Sequence, residues 1–143
     1  MNEKLNQKEL WRNRWLSCLN ELTSFELQQK SWTDKSNTNP HWSFVEFMCS
    51  YFDDLGIDNQ YEYQLKENWI TKNEFEIIHK WHELLDEYNS PTNDDYKVVE
   101  ILKDKKWQMI IEEGKKAKNE LSKILKNKEK QILVEEIDYT KYL

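Results

Sequence analysis

Apolar side chains recur along this chain at three- and four-residue intervals, the spacing that places them on one side of an α-helix. Trp11, Trp15, Cys18, Leu19, Leu22 and Phe25 fall on one arc and predict a first helix over residues 6–28. Residues 29–39 are polar, and the stretch 31–40 has no periodicity, which reads as a loop. Phe44, Val45, Met48, Tyr51, Phe52 and Leu55 form the stripe of a second helix that Gly56 can end in a left-handed cap. Ile57, Tyr61, Leu65 and Trp69 follow at four-residue steps and suggest a short helix.

Thr71-Lys72-Asn73-Glu74 matches a capping box, in which a hydroxyl caps the helix and the glutamate three residues on reaches back. The helix it opens, running to about Tyr88, carries Phe75, Ile77, Ile78, Trp81, His82, Leu84, Leu85 and Tyr88 over half its circumference, as expected of a central element contacted from two sides. After a break at 89–92, a short helix starting near 93–95 presents Tyr96, Val99 and Leu102. A last stripe runs from Trp107 through Ile110, Ile111, Gly114, Ala117, Leu121, Ile124 and Leu125 to Ile132. Unbroken to about residue 136, that helix would approach 45 Å at about 1.5 Å per residue and project beyond the rest. The expectation is therefore an all-α, single-domain bundle over residues 1–143, of five or six helices, with a long C-terminal helix that is extended or frayed past about residue 127. Trp11, Trp15, Phe44, Phe52, Trp81, Leu85, Trp107 and Ile111 are expected to share its core.

Composition supports helices. The chain has only two Gly and two Pro, and no Asn-Gly or Asp-Gly pair that would close a hairpin. Aromatic residues make up 13% of it, which lets a few large side chains fill a core in a chain that is 34% charged. The two cysteines, Cys18 and Cys49, form no CxxC pair. No apolar run follows the first residues and none approaches the length of a bilayer span. These features predict a cytoplasmic protein with reduced thiols and no membrane association.

Candidate chemistry is sparse. Residues 76–83 contain one Glu-x-x-His and one His-x-x-His. Carboxylate-bridged di-iron bundles need two Glu-x-x-His helices, and zinc helices space their histidines four apart. His82 lies on the apolar arc while Glu76 and Glu83 lie on the polar one, so no metal site and no cofactor is predicted. Cys18 sits within an apolar stripe and Cys49 at the edge of one, positions of packing residues. Asp53 and Asp54 are adjacent and point about 100° apart, so the pair does not converge. No catalytic residue is assigned. The lysines at 115, 116, 118, 123, 126, 128 and 130 lack arginine and interleaved aromatics, and read as a solvated face, not a nucleic-acid surface.

Charge is unevenly spread. Residues 46–100 hold fourteen Asp and Glu against four Lys and Arg, a net of −10, whereas residues 103–130 hold ten Lys against five acids, a net of +5. The acidic excess is open to two readings: solubilising charge, or a face that steers toward basic partners and repels nucleic acid.

The order Pro40-His41-Trp42-Ser43-Phe44, Tyr51-Phe52-Asp53-Asp54-Leu55, the capped helix at Thr71–Glu74, Trp81-His82-Glu83-Leu84-Leu85-Asp86 and Trp107 resembles the small helical bacterial immunity proteins encoded beside polymorphic toxins in contact-dependent inhibition systems. The resemblance spans about residues 11–125. It implies a non-enzymatic protein that neutralises a cognate toxin by binding it. On the residues' own evidence the partner-facing set is Glu46, Asp53, Asp54, Glu76, Glu83 and Glu87, and a basic nuclease domain is the partner such an acidic face would suit. Two alternatives remain at this point: a metal-dependent or other helical-bundle enzyme, and a helical adaptor or oligomerising module built on the long last helix.

Overall fold

The computed structural model describes residues 3–142. They contain eight α-helices and no β-strand: α1 (Glu3–Thr23), α2 (Phe25–Trp32), α3 (Phe44–Cys49), α4 (Asp58–Lys66), α5 (Lys72–Asp86), α6 (Val98–Lys103), α7 (Lys105–Ile124) and α8 (Asn127–Val134). A π-helical turn, Ser50–Asp54, follows α3, and a short 3₁₀ turn lies at Tyr139–Tyr142. The all-α class holds, but the number of helices exceeds the five or six expected, because two predicted helices break.

The first break is at Ser24. The helix expected over 6–28 stops at Thr23, and Ser24 caps a second helix by accepting from the Leu27 amide at 3.3 Å. Gln28 fixes the corner. Its buried amide Nε2 donates to the carbonyls of Glu21 and Leu22 at the end of α1, and its Oε1 accepts from the Trp107 indole at 3.0 Å. This corner also overturns the reading of 31–40 as wholly loop: Ser31 and Trp32 lie in α2 and are buried, with Trp32 edge-on to Phe44 and Phe47 and tilted against Trp107.

The second break removes the long C-terminal helix. Leu125 and Lys126 are extended and Asn127 has φ +51°, so the chain turns and α8 folds back along α1. The apolar stripe continues across the turn, with Leu125 and Leu133 both buried, which is why spacing alone reads it as continuous. Asn20 donates to the carbonyls of Ile132 and Glu135, at 3.2 and 2.9 Å, at the end of α8.

The third correction concerns residues 93–102. Helix α6 begins only at Val98, Tyr96 is 79% exposed and Val99 48% exposed; the buried pair is Ile101 and Leu102.

The core is one connected cluster. Seven of the eight residues expected to share it are buried, and Phe52 is half-buried against it. Helix α5 packs along α7 with Gly114 at the crossing. A Cβ there would lie 2.6 Å from Thr23 Cγ2 and 2.8 Å from Trp81 Nε1.

One ion cluster ties distant segments together. Arg12 donates to Glu74 Oε1 and Oε2 at 3.0 and 2.8 Å, to Glu129 Oε2 at 2.7 Å, and to the Trp69 carbonyl at 2.8 Å. Burial opposes the guanidinium's charge, but bonds to Glu74 and then Glu129 outweigh it and hold the pKa above the ordinary range. Glu74 is also the capping-box residue, accepting from the Thr71 amide at 2.9 Å while its own amide donates to Thr71 Oγ1 at 3.0 Å.

Two outcomes are expected in urea unfolding. Gly114→Ala should lose about 1–3 kcal/mol, the usual cost of forcing a methyl into a filled core, since its overlap is with Thr23 and a fixed indole. Arg12→Leu should lose about 3–5 kcal/mol by stranding the buried Glu74 carboxylate, whereas Glu129→Gln, at the more exposed end, should lose about 1 kcal/mol or less.

Candidate functional site

A buried hydrogen-bond chain runs through the middle of the molecule to the wall of a cleft. Trp15, Tyr61 and Tyr51 are fully buried and His82 is 4% exposed. The Trp15 indole meets the Tyr61 hydroxyl at 3.0 Å, Tyr61 meets the Tyr51 hydroxyl at 2.5 Å, and Tyr51 meets His82 Nδ1 at 2.7 Å. Proton counting gives the chain a direction. An indole N–H can only donate and each phenol carries one proton. Every proton finds an acceptor only if Trp15 donates to Tyr61, Tyr61 to Tyr51, and Tyr51 to Nδ1. His82 is then the neutral tautomer with its own proton on Nε2. Burial, partly countered by Asp86, lowers the His82 pKa and favours this neutral form.

The backbone that delivers Tyr61 is unusual. Asn59, Gln60 and Tyr61, at the start of α4, take φ of +53°, +54° and +67°. Only the first is a residue that enters the left-handed region readily. The turn wraps the outer end of the chain: Gln60 Oε1 lies 2.9 Å from His79 Nε2 on α5.

Between this turn, the π-helical turn and α5 lies a cleft of about 420 Å³, lined by Phe52, Asp53, Ile57, Asp58, Asn59, Gln60, His82 and Asp86. Three carboxylates therefore surround it, with no lysine or arginine among the lining residues. Asp53 was legible as a candidate; Asp58 and Asp86 were not. Asp86 carried a signal, standing four residues after His82 on the same helix face.

The six predicted partner-facing residues are all exposed, but they are not one patch. Asp53 lines the His82 cleft. Glu76 and Glu83 lie on α5 and Glu87 is its C-cap, seven and four residues apart on one face, with Glu83 Oε1 3.0 Å from His79 Nε2. Asp54 turns the other way, into a second cleft of about 510 Å³ lined by Asn13, Arg14, Ser17, Cys18, Glu21, His41, Ser50 and Leu55. Glu46, on α3, acts electrostatically on His41 at that second cleft.

The second cleft holds a thiol and an imidazole but no activated nucleophile. Burial, reinforced by Glu21 and Asp54, pushes the Cys18 thiol up to about 12. His41 Nε2 lies 2.6 Å from Glu21 Oε2, and that bond raises the histidine's pKa. Burial and nearby Asp53 push Cys49 upward as well. Among the described residues no three His, Cys, Asp or Glu side chains are placed together to hold a metal ion, and no helix is long and apolar enough to cross a membrane.

The lysine-rich segment is paired in part with its own glutamates. Lys115, Lys116 and Lys123 pair with Glu112, Glu113 and Glu120 three residues before them, and Lys118 donates to Asn20 Oδ1 at 2.8 Å. On α5, Lys80 reaches Glu113 at 3.6 Å. Among the described residues no ion pair involves Asp53, Asp58, Glu76, Asp86 or Glu87.

The environments of His41 and His82 have opposite signs, which a proton NMR titration will separate. His41 should titrate above 6.5, because Glu21 stabilises its charged form, and His82 below it. The His41 contribution to stability is present below about pH 6.5 and is lost as pH rises through its folded value. The His82 contribution is present above about pH 6.5 and is lost as pH falls through that value toward the lower folded one. Titration of both at the ordinary value, or in reverse order, would contradict the geometry. Glu21→Gln should lower the His41 midpoint and leave that of His82 in place.

No family model matches the chain, and no curated protein or solved structure matches it significantly; the resemblance to immunity proteins rests on its landmark residues alone.

Proposed function

We propose that the chain is a non-enzymatic binding protein that neutralises a basic protein toxin by covering its cationic surface, as immunity proteins do. One observation carries the reading: negative charge on the α5 side is exposed and largely unpaired, while Lys115, Lys116 and Lys123 of α7 pair with neighbouring glutamates. Glu76, Glu83 and Glu87 give a mainly acidic outer face, which Lys80 shares, on a helix whose other side is locked in the core, and Asp53, Asp58 and Asp86 line the nearby cleft. Such a surface accelerates encounter with a basic partner and repels phosphodiester backbones.

A nuclease domain is the toxin this surface suits best. Its active site is built to hold phosphates, and carboxylates presented by a rigid helix can take their place. The adaptor alternative loses its support with the long helix, since α8 lies against α1 and does not project. The enzymatic alternative has no activated thiol to work with.

The test is co-expression with the product of the adjacent gene, scoring rescue from its toxicity, followed by binding kinetics. Glu83→Lys with Glu87→Lys should slow association several-fold, and the slowing should shrink as salt rises, because exposed charges are screened over about 8 Å at physiological ionic strength. Tight binding that is indifferent to both salt and the double reversal would rule out the acidic-face mechanism. Absence of any rescue would rule out the immunity reading.

A further inference from the structure

The His82 cleft has a property that acidity alone does not give it. The direction of the Trp15–Tyr61–Tyr51 chain leaves His82 Nδ1 as an acceptor, already occupied, and puts the imidazole proton on Nε2. The ring is more than nine-tenths buried and lines the cleft. Nε2 has no hydrogen-bond partner among the described residues, and it is not one of the unpartnered buried atoms sealed away from solvent. The cleft therefore offers an unpaired N–H donor among three carboxylates.

These two features select a ligand. The carboxylates of Asp53, Asp58 and Asp86 require a cation. The Nε2–H requires an acceptor at the same time, and neither an ammonium nor a guanidinium has one. A bare metal ion at the ring would face a proton instead of a lone pair. A peptide segment supplies both groups: a basic side chain, and a backbone carbonyl next to it. Phe52 is half-buried in the cleft wall, its ring centroid 5.6 Å from that of His82. A flat aromatic face suits a planar guanidinium better than a compact ammonium.

We infer that the His82 cleft is a receptor for one arginine of a basic protein partner, with Asp53, Asp58 and Asp86 holding the guanidinium beside Phe52 and His82 Nε2–H donating to a main-chain carbonyl of the same segment. This assignment rests on the binding-protein reading and adds to it a defined anchor. The α5 face governs encounter, and the cleft governs how long the complex lasts. Anchors of this kind, a desolvated arginine in a pocket, carry a large share of interface energy.

The probe is acetyl-arginine methylamide, which carries both groups, titrated into isotope-labelled protein and followed on the His82 imidazole and the Asp53 and Asp86 amides. Saturable shifts at these positions are expected. Acetyl-citrulline methylamide, which keeps the carbonyls and loses the charge, should bind at least about tenfold more weakly, a difference of about 1.4 kcal/mol. n-Butylguanidinium, which keeps the single cation and lacks the carbonyls, should shift the aspartate amides while leaving the His82 Nε2 resonance near its free position. Asp53→Asn with Asp86→Asn, both at exposed positions, should abolish the arginine response without altering the fold. Equal binding of the citrulline probe, no saturable response, or a response centred on Arg14 and Asp54 in the other cleft would overturn the assignment. The two proposals fail separately. If the partner's affinity drops on reversal of Glu83 and Glu87 but ignores Asp53→Asn with Asp86→Asn, the cleft assignment is wrong and the binding reading stands. If the cleft takes the arginine probe and no toxin is neutralised, the cleft stands and the immunity reading falls.

Discussion

The buried indole N–H of Trp15 has an acceptor, the hydroxyl of Tyr61, whereas the buried indoles of Trp32 and Trp81 have no hydrogen-bond partner among the described residues. That bond begins a chain linking α1, α4, the π-helical turn and α5. To bring Tyr61 under Trp15, three residues in succession take left-handed backbone angles, a conformation that costs of order 1–3 kcal/mol per non-glycine residue. The turn persists because its surroundings fix it from several sides. Tyr61 packs edge-on against Trp11, Trp15 and Phe75, and its amide is bonded to the Ile57 carbonyl. Satisfying Trp15 then passes the requirement along: Tyr61 needs an acceptor, finds Tyr51 on the π-helical turn, and Tyr51 needs His82 on α5. One donor in the first helix thereby sets the tautomer of a histidine at a cleft on the far side of the core.

Arg12, one turn before that tryptophan, does the equivalent work for the outer elements. Its guanidinium lies 5.5 Å from the Trp15 ring centroid and reaches the α5 cap, the loop at Trp69 and α8. A buried arginine with two carboxylates contributes little as an ion pair, because desolvation offsets the attraction. Its effect is geometric. Glu74 must stand at the start of α5 to receive both the Thr71 amide and the guanidinium, and Glu129 must fold back to complete the set. The return of α8, and the loss of a protruding last helix, are consequences of that cluster together with the burial of Leu133.

What the sequence displays is local. The Thr71–Glu74 capping box, the half-apolar α5 and seven of eight core positions are readable because their signals lie within one or two helical turns. The breaks were hidden by a substitution of turn chemistry. Four of the seven left-handed positions are asparagines, at 59, 68, 93 and 127, and only one is a glycine. Asparagine tolerates that region, so counting glycine and proline underestimates how often the chain turns. Gln28 misled for a related reason: it extends a polar run, and only its placement against Trp107 reveals it as the lock of a corner. The cleft was illegible except for Asp53, since Asp58 and Asp86 come from elements that only the tertiary structure joins.

The charge of the cleft depends on the core beneath it. A histidine among three carboxylates in water would gain a proton readily and cancel part of their field. Here the Nδ1 site is closed by the Tyr51 hydroxyl, and burial works against the imidazolium, so His82 stays neutral through the near-neutral range. Protonating it would require Tyr51 to withdraw its hydrogen from Nδ1. Tyr51 would then have to turn that hydrogen on Tyr61, whose oxygen already accepts from Trp15 and whose own proton would be left with no acceptor. The cost of a buried unpaired hydroxyl, about 1–3 kcal/mol, opposes that reversal. The carboxylates of Asp53, Asp58 and Asp86 consequently act undiluted, and the one polar group deep in the cleft keeps the same donor character whether or not a cation sits above it.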